Sequence, residues 1–437
     1  MSELVRQLTL SDIIFSGYGY TVGAGVFALM PYIVKNAKNY TWLAFLIGGA
    51  ISIMTAMSYA KLNIEYPSND AEYSWIIETF KVDNPKTKKD NQHNKYVKLF
   101  SAIVIWAVMI LGVTMNSVII VSVSNFFKNM NIGNIPTNII TLVAVLFPTF
   151  LNLLDVKKMS IVNIIVTILT TLILGLIPVF SIFKHPHIKD IVPTVLNTNT
   201  IQNIIKAVSI TILPYNGYQS VVQMSEEVKN VNNIPKGMLI SGVLAIGLYT
   251  ILSVGLILIL GVSNISKSTS PIADAFSIFF GKYSGNIVNI FGILTGFTTL
   301  LLSIYSRSRL LNKLSEHNIA PKIFNQYGIG KYFKGIPVMS VMIVGVLSYI
   351  FTLLKENSLE FLANITNILT LFVFICVNIC VIYTYYYKDK NKNKNKNDPK
   401  LTPLINKFRN TPPIYAIIAL IILLILFYST TRSFIVG

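Results

Sequence analysis

The chain has 437 residues, 53% of them hydrophobic and 12% charged, with a mean hydropathy of +0.61. This composition excludes an ordinary soluble domain, and repeated apolar runs of about twenty residues point to α-helical membrane spans rather than the alternating strands of a β-barrel. The formal net charge of +18 would suit nucleic acid, but in a membrane chain Lys and Arg are first a topology signal, so no nucleic-acid partner is expected.

Eleven spans are expected. Span 1 covers residues 12–34 and span 2 residues 41–63. Span 1 has neither a strongly basic leader nor a small-residue cleavage site after it, so it reads as a span and not a signal peptide. Spans 3, 4 and 5 fall near 98–125, 137–154 and 158–183, and span 6 near 201–225. Spans 7 to 10 fall near 237–261, 284–306, 337–354 and 359–386, and span 11 near 413–431. Counting loops alternately from the N-terminus places 26 of the 36 Lys and Arg on one side. That side holds the N-terminus, residues 81–98, Lys157, Lys158, Arg307 to Lys334, and Lys388 to Arg409. By the positive-inside rule it is cytoplasmic, and an odd number of spans puts the C-terminus outside. The polar run from Lys81 to Lys95 reads as mobile, and the Lys/Asn repeat of 388–397 as part of a disordered basic linker, 387–411.

Two spans carry peculiarities. Span 1 contains Gly17, Gly19, Gly23 and Gly25 within Ser16 to Pro31, where an unbroken helix would be expected. Span 6 contains Pro214 and Gly217 in Leu213-Pro214-Tyr215-Asn216-Gly217-Tyr218. A helix that breaks inside hydrocarbon needs partners for its freed N–H and C=O groups, and irregular backbone survives there only against protein, water or a ligand. Two interrupted spans five apart point to the midplane site of an inverted-repeat transporter. The competing reading is two Gly/Pro-containing packing helices. Elsewhere, the small residues of span 2 and the polar residues Asn116, Ser117, Asn163, Thr167 and Thr170 either tie helices together or face a cavity, and Cys376 and Cys380 read as packing residues.

At these residues the chain resembles the amino acid–polyamine–organocation transporters, with its nearest likeness to the L-type amino acid transporter branch. The resemblance is carried by Gly23-Ala24-Gly25-Val26-Phe27 in span 1 and by Tyr59-Ala60-Lys61-Leu62…Tyr66-Pro67-Ser68-Asn69-Asp70-Ala71-Glu72-Tyr73 after span 2. It continues in Tyr215-Asn216-Gly217-Tyr218-Gln219, Ser225-Glu226-Glu227-Val228-Lys229-Asn230, Arg307-Ser308-Arg309-Leu310…His317-Asn318-Ile319-Ala320-Pro321 and Gly335-Ile336-Pro337. Departures are Asn69-Asp70 for the family's Gly-Gly, Lys61 for its acidic residue, Val231 for a Pro, and one span after the tenth where most members have two.

The resemblance implies an all-α integral membrane fold, an inverted five-plus-five repeat with helices 1 and 6 broken. The repeats would be residues 12–183 and 201–386, followed by the linker and an extra helix in 412–437. It implies a secondary transporter working by alternating access, not an enzyme, without cofactor or metal. The substrate's α-carboxylate would meet the backbone around Gly23, Ala24, Gly25 and Val26. Its α-ammonium would meet carbonyls near Tyr20, Thr21, Pro214, Asn216 and Gly217. Leu213 would be a gate, joined by Tyr218, with Tyr215 and Tyr20 as walls. Thr298 and Thr299 would be hydroxyl ligands of an ion.

Asp and Glu are absent between Asp12 and Glu65, between Asp90 and Asp155, and between Asp190 and Glu226, so spans 1, 3 and 6 offer no carboxylate to a cationic side chain. The expectation is therefore a neutral amino acid moved by exchange. The alternatives are a proton- or sodium-coupled permease for cationic amino acids or polyamines, and a non-transporting sensor. Residues 126–136 contain no Cys, so no disulfide-linked heavy chain is expected; the partners are the amino acid and the lipid bilayer.

Overall fold

The computed structural model describes residues 9–68, 70–83, 85–153, 157–192, 196–223, 228–230, 232–325, 336–354, 359–388 and 401–436. Asn69, Ser225 to Glu227, Val231, Gly335 and residues 389–400 of the expected linker lie outside them. Every regular element among the described residues is helical.

Span 1 is two helices. The first, α1 (Leu10–Thr21), opens with a capping box in which Asp12 N–H donates to Thr9 Oγ1 and Asp12 Oδ2 accepts from Thr9 N–H at 2.8 Å. It stops at Val22, and α2 (Ala24–Ala37) starts from Gly23 with no side-chain cap. Span 2 is α3 (Thr41–Glu65), followed by a short loop helix, α4 (Ala71–Phe80). Span 3 is α5 (Lys88–Asn129), 42 residues long and opened by a capping box between Thr87 and Asp90. The run expected to be mobile is thus helical from Lys88 onward, because that box satisfies its first free N–H groups.

Spans 4 and 5 are α6 (Thr137–Leu151) and α7 (Lys157–Phe183). Span 6 is α8 (Thr198–Thr211), a 3₁₀ turn over Leu213–Tyr215, and α9 (Tyr218–Gln223). Span 7 is α10 (Asn233–Leu260), and two short helices follow, α11 (Val262–Lys267) and α12 (Pro271–Phe280). Spans 8, 9 and 10 are α13 (Lys282–Glu316), α14 (Val338–Thr352) and α15 (Leu359–Tyr383). The tail folds as α16 (Pro403–Asn410) before span 11, α17 (Ile414–Val436). Among the described residues, seven helical stretches are long and apolar enough to cross a membrane, and α6, α12 and α14 are shorter apolar helices.

Two differences from the sequence reading concern charge. Residues 403–410 of the linker expected to be disordered form α16, which docks beneath span 2. Arg409 donates through both Nε and Nη2 to Glu65, the latter at 2.8 Å, and Lys61 Nζ donates to Thr411 O at 2.6 Å. Lys61, the departure in the span 2 motif, is therefore an anchor for the tail. The second difference is that α13 runs on to Glu316, so Arg307 lies inside a helix and is buried instead of sitting in a cytoplasmic loop.

The polar residues of the spans mostly tie helices. Asn116 and Ser117 bond Ser348, joining α5 to α14. Thr170 meets Thr295 at 2.7 Å, joining α7 to α13. Ser58 donates to Asn378 at 2.8 Å, joining α3 to α15. Where hydrocarbon supplies no hydrophobic pull between helices, such bonds and close small-residue contacts hold the bundle.

Candidate functional site

The two breaks abut. At Gly217 a Cβ would collide with the Thr21 hydroxyl and the Gly17 carbonyl, so span 6 passes bare against the end of α1. On the other side of the break, the Cβ position of Gly25 is 3.5 Å from Pro214 Cα and 3.5 Å from Met115 Cε. Gly23 faces α13, with its Cβ position 2.5 Å from Thr299 Oγ1 and 2.9 Å from Tyr20 O. Glycines at 23, 25 and 217 therefore bring spans 1, 3, 6 and 8 together where two of them break.

Between these elements lies a cavity of about 20 Å³, roughly room for one water molecule. It is lined by Tyr20, Thr21 and Gly25 from span 1, by Leu213, Pro214, Asn216 and Gly217 from span 6, and by Leu111, Gly112 and Met115 from α5, with Thr299 and Arg307 from α13. Backbone chemistry divides it. The start of α2 presents N–H groups without helical partners and a positive dipole end, suited to a carboxylate. The end of α1 presents carbonyls suited to an ammonium, of which Thr21 O already accepts from Tyr249 Oη at 2.5 Å.

The site residues expected from sequence fall into two groups. Tyr20, Thr21, Gly25, Leu213, Pro214, Asn216 and Gly217 line the cavity, Gly23 flanks it, and Val26 is fully buried beside it; the side chain of Ala24 lies outside the described residues. Tyr215 and Tyr218 turn the other way. Tyr215 donates to Phe45 O at 3.1 Å and packs on Tyr249, and Tyr218 stacks between Tyr59 and Phe374. Both border a smaller cavity of about 10 Å³ between spans 2 and 7. Thr298 and Thr299 each donate back to Thr295 O within α13, at 3.0 and 2.8 Å.

Sequence reasoning missed two charged groups. Arg307 is 4% exposed, reaches the cavity across Gly112, and among the described residues has no hydrogen-bond partner for Nε or Nη1. A Cβ on Gly112 would occupy the guanidinium's place. Glu72 comes from the loop helix α4, 2% exposed, and accepts from Tyr59 Oη at 2.9 Å; Tyr59 in turn accepts from Gln219 Nε2 at 3.0 Å. Burial pushes its carboxyl above the ordinary 4.5, opposed by its backbone hydrogen bond, the charge of Arg307 and the Tyr59 hydroxyl. Beside it, buried Asp70 accepts from or pairs with His317 Nε2 at 2.7 Å, and the His317 ring lies on Tyr73, tying α4 to the end of α13.

Toward the opposite face, Phe27 of α2 meets Phe126 of α5 edge to face at 5.9 Å. Beyond them a crevice of about 210 Å³ opens between α2, α5 and the segment after α11. A small, largely apolar cavity at two abutting helix breaks, with aromatic packing on one side and loop contacts on the other, defines a membrane transporter of the broken-helix class. Comparison of the sequence agrees: the profile of the family described as Amino acid permease matches residues 8–434. The chain belongs to that family, within the amino acid–polyamine–organocation superfamily.

Among its relatives, cationic amino acid transporter 9, chloroplastic, of Arabidopsis thaliana is 25% identical over 339 residues, covering 74% of this chain and 58% of the plant protein. The inner membrane transport protein YbaT of Escherichia coli is 24% identical, covering 74% of this chain and 72% of that protein. The branched-chain amino acid permease BcaP of Bacillus subtilis is 21% identical, covering 73% and 69%. The chain spans 54% to 64% of the length of three of the plant relatives it matches.

Proposed function

We propose that the chain carries amino acids across its membrane by alternating access, as an exchanger, with the N-terminus cytoplasmic. The two five-helix units, residues 12–183 and 201–386, would rock around the paired breaks. The observation that carries this reading is the apposition of Gly23 and Gly25 in span 1 with Pro214 to Gly217 in span 6 around one cavity. Backbone N–H and C=O groups that leave the regular helical pattern at the two breaks would complement the two charged ends every amino acid shares.

The substrate's side chain carries no positive charge on this reading. No carboxylate lines the cavity among the described residues, whereas Arg307 does, and a cationic side chain would meet a buried cation without compensation. The relatives' names include cationic and branched-chain amino acids, and the cavity chemistry supports the latter kind over the former. The same site can house Thr299 as an ion-facing hydroxyl beside Gly23.

The test is exchange in proteoliposomes preloaded with unlabelled amino acid, offering labelled leucine, glutamate, arginine and putrescine with and without Na⁺ and pH gradients. Uptake that depends on internal amino acid and excludes arginine and putrescine is expected. Uptake of arginine or putrescine in preference to the others overturns the substrate class, and uptake that needs an ion gradient overturns simple exchange.

A further inference from the structure

We propose that Arg307 receives a carboxylate on the substrate's side chain, which makes an acidic amino acid the preferred cargo; this rests on the cavity being the amino acid site. Arg307 is 4% exposed, and among the described residues Nε and Nη1 find no acceptor. It makes no ion pair within 4.0 Å among the described residues. A buried cation with free donors is stable only if something of opposite charge or strong acceptor character meets it for part of the cycle.

No carboxylate lines the rest of the cavity among the described residues. Leu111, Met115, Leu213 and Pro214 are apolar, and Asn216 offers one unpartnered carboxamide oxygen. The guanidinium, planar and forked, matches a carboxylate through two parallel hydrogen bonds.

Both ends lie against α5: Met115 Cε reaches the Cβ position of Gly25, where span 1 would hold the α-carboxylate, and Gly112 lies against the Arg307 side chain. Gly112 is part of the device, since a methyl group there would push the guanidinium off its path.

Glu72 is the competing partner, because the charge of Arg307 holds its carboxyl down against burial. Its direct hydrogen bond runs to Tyr59, however, and not to Arg307. Glu72 sits on the loop helix and does not line the cavity.

The experiment is exchange by the full-length protein in proteoliposomes, comparing glutamate, aspartate, alanine and leucine for wild type, Arg307→Met, Arg307→Lys, Gly112→Ala and Glu72→Gln. Thermal stabilisation by each amino acid in detergent reads binding where flux is lost. Wild type is expected to favour the acidic pair. Arg307→Met is expected to lower the acidic-to-neutral selectivity ratio about ten- to hundredfold, the worth of one strong charge-assisted contact. Gly112→Ala should lower it in the same direction, and Arg307→Lys should restore part of it. Wild-type exchange of leucine and alanine without glutamate or aspartate overturns the proposal while leaving amino acid exchange standing. An unchanged ratio in Arg307→Met, or an equal loss of selectivity in Glu72→Gln, overturns it in favour of Arg307 as a counter-ion for Glu72. Absence of exchange and of stabilisation by all four amino acids overturns the underlying site as well.

Discussion

Spans 1 and 6 are both broken, but they break differently. Span 1 passes from α1 to α2 through two residues, Val22 and Gly23, with no side-chain cap on the second helix. Span 6 passes through Pro214 and a 3₁₀ turn, and Tyr215 and Tyr218 are pinned on either side of it, to Phe45 and Tyr249 and to Tyr59 and Phe374. The first break leaves backbone bare, whereas the second is fastened by its own aromatic side chains. On the proposed reading, the first would meet the cargo, and the second would fix the geometry against which contact is made.

Substitutions can separate these roles. The largest effect is expected from Gly217→Ala, whose methyl would meet the backbone of Gly17 and Thr21. Overpacking of this kind costs about 1–3 kcal/mol, and because it forces the two breaks apart, both the unfolding temperature and uptake should fall. Gly25→Leu should remove transport at a cost in stability, because its side chain is far larger than the cavity. The Cβ position of Gly25 has only ordinary 3.5 Å neighbours, so Gly25→Ala fits while the larger side chain fills the cavity. Losing one or two charge-assisted hydrogen bonds, at roughly 1.5–3 kcal/mol each, should cut uptake about hundredfold or more. Normal uptake by Gly25→Leu would break the comparison outright.

Tyr215→Phe removes the bond to Phe45 O and should lower stability by about 0.5–1.5 kcal/mol, with substrate affinity kept, as thermal unfolding and counterflow would show. A larger loss of affinity than of stability would mean that Tyr215 touches cargo. The smallest effect concerns pH. Burial raises the Glu72 carboxyl, so the folded protein holds that proton more tightly than the unfolded chain. The contribution to stability is then full below the ordinary 4.5 and is lost as pH rises through the raised value. Glu72→Gln should flatten the dependence of unfolding temperature on pH in that window; an unchanged slope would contradict the assignment.

Much of this was legible in the residues. Gly23, Gly25, Pro214 and Gly217 mark the breaks because glycine and proline weaken helices wherever they fall, and all four now stand at or beside one cavity. Tyr215 and Tyr218 were less legible as walls, because sequence gives a residue's distance from the break but not the direction of its side chain. Arg307 was misread for a related reason. Positive charges beyond an apolar run count as loop, yet Leu310, Leu311 and Leu314 continue the buried face of α13 past it. That periodicity, with Gly112 free of a side chain in span 3, is the signal that could have placed it. Glu72 was hidden by a loop that folds back as α4, a tertiary event with no local signature. The tail around Arg409 was compositionally a linker, and only Glu65 and Lys61 beneath span 2 make α16 an anchored helix.

The length of α5 has a mechanical consequence. At 1.5 Å per residue its 42 residues extend about 63 Å, roughly twice the 30 Å of bilayer hydrocarbon. On the proposed topology such a rod would project beyond the hydrocarbon on the cytoplasmic side, where Thr87 and Asp90 cap its tip. Gly112 and Met115, which border the cavity, ride on the same rigid shaft. A small tilt at the protruding end would swing the cavity wall like the short arm of a lever.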